Sequence, residues 1–97
     1  MVFMLAAGCC SARADTISVT IKGLVFQPAQ THAKVGDTIE WINQDFVPHT
    51  ATARAGEWDV VVGANQSANQ VLDKPGIFNY YCRFHPNMRG SIIIEPN

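Results

Sequence analysis

Charge is scarce in this chain. Only 15% of its residues are charged and the formal net charge is −1. A balance so weak excludes an electrostatic grip on nucleic acid or on an anionic membrane surface, because both need a cationic excess. Helical patterning is missing as well. No stretch longer than about two turns repeats its apolar residues at helical spacing. There is no internal repeat, linker or low-complexity tract. Long apolar runs are also rare. The one at the start, Met1 to Ala14, is too short to span a bilayer. It ends in Ala12-Arg13-Ala14, a small-x-small pattern. Residues 1–14 are therefore expected to be a signal peptide cleaved before Asp15, which places the mature chain in the periplasm or another exported location.

No basic stretch precedes this leader, which leaves room for a start further upstream. Ala6-Ala7-Gly8-Cys9 loosely matches a lipoprotein cleavage site, though Ala6 stands where Leu is usual; lipid anchoring at Cys9 is the lesser reading. Without the leader, residues 15–97 form a single domain with net charge −2. Cys9 and Cys10 are gone, and Cys82 is the one remaining cysteine. A lone thiol in an exported protein cannot close an internal disulfide. It is a liability or a metal ligand. A chain this short buries only a modest core, and a bound metal would add stability by mass action.

Alternation of period two is plentiful. Thr16 to Lys22 places Ile17, Val19 and Ile21 on one face. Leu24-Val25-Phe26, Gln30 to Lys34 and Thr38 to Asn43 read as further strands, with Ile39 and Trp41 inward in the last. Thr50 to Arg54 alternates weakly, and Trp58 to Gln66 is the least readable part. Ser67 to Leu72 is closed by the turn Asp73-Lys74-Pro75-Gly76. Ile77 to Cys82 puts Phe78, Tyr80 and Cys82 on one face, and Ser91 to Glu95 is the last strand. Seven or eight short strands separated by turns predict an all-β Greek-key sandwich.

Function concentrates in Tyr80-Tyr81-Cys82-Arg83-Phe84-His85-Pro86-Asn87-Met88-Arg89-Gly90, where a thiol, an imidazole and a thioether follow one another at spacings of three. An imidazole and a thiolate alone suit zinc, iron or copper. A soft, neutral thioether narrows the choice, because two histidines, a cysteine and a weak axial methionine are the blue-copper set. The second histidine must come from elsewhere. Of the three in the chain, His49 in Phe46-Val47-Pro48-His49-Thr50 lies near a strand end and is the expected ligand. His32 has no motif around it and reads as a surface residue. Pro86 and Pro48 bias the residues before them toward extended conformations, which pre-sets His85 and the approach to His49.

The C-x-x-H-x-x-M run with P-H-T upstream resembles the type 1 copper cupredoxins. Its short ligand loop is most similar to that of the amicyanins, with plastocyanins and pseudoazurins as relatives. The likeness extends through Val35 to Asn43 and Ser91 to Glu95. It implies one copper held by His49, Cys82, His85 and Met88, and a monomeric one-electron carrier without catalysis. It also implies redox partners that dock transiently near His85, on an apolar ring of Pro48, Phe84, Pro86 and Met88. Loop amides are expected to donate to the Cys82 sulfur, with Asn43 or Thr50 contributing. One departure stands out: many relatives carry Asn after the first histidine, where this chain has Thr50, so the tie between the two ligand loops is in question. A copper-handling protein using the same site is the alternative. A zinc site of Cys82, His49 and His85 leaves Met88 unexplained, and an oxidase would need more histidines than His32 supplies.

Overall fold

The alternating, β-branched segments all become strands. The computed structural model describes residues 13–97, so most of the expected leader, with Cys9 and Cys10, lies outside the described residues. Nine strands follow in order: β1 (Thr16–Lys22), β2 (Val25–Gln27), β3 (Gln30–Lys34), β4 (Thr38–Asn43), β5 (His49–Ala53), β6 (Asp59–Val62), β7 (Ser67–Val71), β8 (Gly76–Tyr81) and β9 (Arg89–Glu95). They form two sheets, in the orders β2-β1-β4-β7 and β3-β9-β8-β5-β6. β1 with β4 and β3 with β9 run parallel, and the remaining pairs are antiparallel. The all-β sandwich expected from the sequence is the fold. It has more strands than the seven or eight expected, because Asp59–Val62, unreadable by pattern, pairs with β5 and adds an edge strand.

Each sheet turns one face inward. Val19, Ile21, Phe26, Ile39 and Trp41 come from the first sheet, and Ala51, Val62, Tyr80, Ile92 and Ile94 from the second. At the centre three aromatic rings meet edge to face. Phe26 and Tyr80 are 4.8 Å apart, Trp41 and Tyr80 5.0 Å, and Phe26 and Trp41 6.1 Å. Such pairs contribute about 0.5–1.5 kcal/mol each beyond the burial of their area. The Trp41 indole N–H donates to Gln70 Oε1 at 3.0 Å, which removes the cost of burying it.

β5 departs from the weak alternation read for Thr50 to Arg54. It begins at His49, and four of its five residues are buried. Ala51 and Ala53 face the core, while Thr50 on the opposite face is covered by the loop after β8. β8 ends at Tyr81, so Cys82 is the first residue beyond it, still inward and fully buried. Gly23 and Leu24 join β1 to β2 with φ values of 62° and 63°. A two-residue hairpin with both central residues left-handed matches the twist of its strands, but a leucine in that region is unusual.

Candidate metal centre

The loop between β8 and β9 is closed on itself before any ligand is considered. Cys82 N–H donates to Met88 O at 3.1 Å, Met88 N–H to His85 O at 2.9 Å, and His85 N–H to Cys82 O at 3.3 Å. The three expected loop ligands are thus hydrogen-bonded to one another through the backbone.

His49 arrives from the other ligand-bearing segment, at the first position of β5, and is fully buried. Its Nε2 lies 2.9 Å from Asp45 Oδ2. A carboxylate there makes Nε2 the protonated nitrogen, so the Nδ1 lone pair faces Cys82. Asp45 in turn accepts from Gly23 N–H at 2.8 Å and Leu24 N–H at 3.1 Å. Burial pushes the Asp45 carboxyl up. The two amides and the imidazole outweigh it and hold the group below its ordinary value. The carboxylate therefore stays ionised beside His49. Asn43 positions this segment: its side chain donates to Val47 O, Val62 O and Gly63 O, and its Oδ1 accepts from Asp45 N–H.

The Cys82 sulfur accepts a hydrogen bond from Thr50 N–H at 3.3 Å. Of the two donors considered from sequence, Thr50 is the one that reaches it; Asn43 is committed to the loop before His49. The tie questioned at Thr50 is present in a different form. The Thr50 hydroxyl accepts Arg83 N–H at 2.8 Å, so this one residue joins both ligand segments, by its amide to the sulfur and by its side chain to the loop.

His49, Cys82 and His85 are brought together, with ligand atoms all within 4.8 Å of one another. The Cys82 sulfur is 3.7 Å from His49 Nδ1 and 3.8 Å from His85 Nδ1. Bonds of about 2.0 Å to nitrogen and 2.3 Å to sulfur, set 120° apart, separate two such donors by about 3.7 Å. The trio therefore fits three ligands around one first-row ion. Met88 ends the same loop and is 4% exposed, in the core cluster that contains Cys82. His32 is exposed on β3, remote from this group.

The surface around His85 is apolar. Phe84, 48% exposed, and Pro86 flank His85 in the loop; Phe46 at 88%, Val47 at 43% and Pro48 are exposed on the segment that leads to His49. Leu24 completes a shallow groove with Phe84, His85, Pro86, Asn87 and Met88, the last only 4% exposed there. Neither Leu24 nor Asp45 was found by sequence reasoning. Leu24 lies far away in sequence, and Asp45 carried no signal beyond its place in a loop.

A model of the family described as "Cupredoxin-like domain" matches residues 1–94. The amicyanin of Paracoccus denitrificans is 31% identical over 85 residues, covering 81% of this chain and 65% of that protein. Amicyanin-alpha of Methylorubrum extorquens is 31% identical over 90 residues, covering 87% of this chain and 76% of that one. The chain thus spans somewhat under two thirds of the Paracoccus protein's length. Among solved structures, a Cu(I) form of an amicyanin variant superposes with a TM-score of 0.72 at 30% identity, over 82% of each chain.

Proposed function

The chain belongs to the cupredoxin-like family, and on that premise we propose that it is a type 1 blue-copper protein carrying single electrons between redox partners. The observation that carries the reading is the convergence of His49, Cys82 and His85 at nitrogen-to-sulfur distances of 3.7 and 3.8 Å, with Met88 closing the same loop. His49, Cys82, His85 and Met88 are the proposed ligands. When bound, copper supplies the one-electron chemistry, cycling between Cu(I) and Cu(II).

The protein's own contribution is geometric. Asp45 fixes the ring and tautomer of His49. Thr50 N–H points the positive end of its dipole at the Cys82 sulfur, which stabilises the thiolate. The self-bonded loop keeps Cys82, His85 and Met88 from rearranging as the charge of the site changes. His85 is the edge open to solvent, set among Leu24, Phe84, Pro86 and Met88, and serves as the electron port. An apolar surface of this kind suits small, transient redox interfaces. The chemistry is transfer without catalysis. The working form is residues 15–97, exported with its leader removed, and monomeric.

The test is a visible and EPR titration of the protein from Asp15 with Cu(II). An intense thiolate-to-copper band with narrow hyperfine splitting is expected at one equivalent, and Cys82→Ser should abolish the band. A colourless complex, or a blue Cys82→Ser protein, removes the reading and brings copper handling or zinc binding forward.

A further inference from the structure

A closed ring of hydrogen bonds links the cysteine side of the site to the protein surface. It begins at Arg83 N–H, which donates to Thr50 Oγ1 at 2.8 Å. Thr50 Oγ1 lies 2.9 Å from Thr52 Oγ1, and Thr52 Oγ1 reaches Asp59 Oδ1. That last contact, at 2.6 Å, is short, as charge-assisted O–H···O⁻ bonds are. The ring closes where the Arg83 guanidinium takes both oxygens of Asp59, Nε at 3.0 Å and the terminal nitrogen at 3.2 Å. The strands supply the register: Thr52 on β5 pairs with Asp59 on β6 and with Tyr81 on β8.

The direction of every bond follows from the two charged members. A carboxylate only accepts, so Thr52 gives its single hydroxyl proton to Asp59. Thr52 then has only lone pairs to offer Thr50, so Thr50 donates to Thr52. The Thr50 oxygen is left as an acceptor for Arg83 N–H. Thr50 is fully buried, and its own amide holds the Cys82 sulfur. Asp59 and Arg83 are 48% and 40% exposed, and an ion pair so open adds little stability by itself. Its contribution is orientation.

We propose that Thr52 and Asp59 are positioning residues for the metal centre, acting through Thr50 and Arg83 to hold the Cys82 sulfur and the start of the ligand loop in register. The inference rests on the ligand set proposed above and adds two residues that touch none of the ligands. It also assigns a role to Thr50, which joins the two ligand segments. In this chain the tie between ligand segments is a relay that ends on a surface carboxylate.

Three variants test it: Thr52→Val removes the relay at constant charge, Thr52→Ser restores the hydroxyl, and Asp59→Asn removes the acceptor charge. With Thr52→Val, the Arg83 amide should exchange its hydrogen faster in the metal-free protein. Copper affinity, read by chelator competition, should fall about tenfold. The copper hyperfine splitting should change, and Thr52→Ser should return all three toward wild type. Asp59→Asn combined with Thr52→Val should cost no more than the worse single change, because both break one relay. The proposal is overturned if Thr52→Val lowers the Tm of the metal-free and copper-loaded forms equally while affinity and splitting stay at wild-type values. It is also overturned if only Asp59→Asn has an effect and added salt removes it, for that is charge acting through space. A wild-type protein that forms no thiolate-to-copper band defeats the functional reading alone. The exchange of the Arg83 amide in the metal-free protein still decides the ring, and equal protection in wild type and Thr52→Val overturns it.

Discussion

Asp45 shows how much one side chain can settle. Its two oxygens serve a hairpin and a ligand at once: Gly23 N–H and Leu24 N–H on one side, the His49 ring on the other. The hairpin bonds hold Leu24 at φ 63°, a conformation a leucine avoids at a cost of about 1–2 kcal/mol, and that leucine lines the groove beside His85. Asp45→Ala leaves a buried imidazole N–H without an acceptor, which costs about 1–3 kcal/mol of stability. It should also weaken copper binding about 10- to 100-fold, as the loss of a ligand's hydrogen-bond partner does. Asp45→Asn keeps an acceptor and should lose less of both; thermal unfolding and chelator competition check the pair. None of this was legible in the sequence. The gathering of His49, Cys82 and His85 was, because the donor types and the short spacing within the loop can be read from the residues themselves. Asp45, Leu24 and the path from Thr50 to Asp59 depend on which strands become neighbours, and a linear pattern does not record that.

At the scale of elements, β1, β3 and β4 took the bounds their alternation predicted, because each has one face in the core and the other toward solvent. β5 and β6 were blurred for opposite reasons. β5 is covered on both faces near the site, so its alternation vanishes, and β6 is a four-residue edge strand whose valines read equally well as a loop. β8 and β9 carry the ligand loop between them and place Tyr80 opposite Gly90. A Cβ on Gly90 would fall against the Tyr80 hydroxyl and lie 2.9 Å from the Ala29 carbonyl. Gly90→Ala should therefore destabilise the protein by about 1–3 kcal/mol through overpacking, seen as a lower urea midpoint. The damage should spread to copper binding, since the strand that must shift begins at Arg89, next to Met88.

On the scale of the whole molecule the sandwich has two differently built poles. The ligand pole holds softness and partial exposure. The far pole is fastened by Asp37, a buried carboxylate that accepts Asp15 N–H at 2.9 Å, Lys34 N–H at 3.0 Å and Lys34 Nζ at 3.2 Å. Burial pushes this carboxyl up, but the two amides and the ammonium outweigh it, and it titrates below its ordinary value of 3.8. A carboxyl held low in the fold stabilises it at pH above that ordinary value, and the contribution is lost as pH falls toward the folded-state value. The metal-free protein should therefore lose Tm as pH drops below about 4, and Asp37→Asn should be less stable at neutral pH with a shallower acid slope. Parallel acid slopes for the two proteins would assign the loss to other groups.

The ligand pole has one more property that follows from burial alone. His49 and Cys82 are sealed, and of the three converging donors only His85 meets solvent. On the proposed function, His85 is then both the electron port and the donor through which an ion would reach the two sealed ones. A partner resting against Leu24 and Phe84 would cover that edge, so metal exchange should slow while the partner is bound.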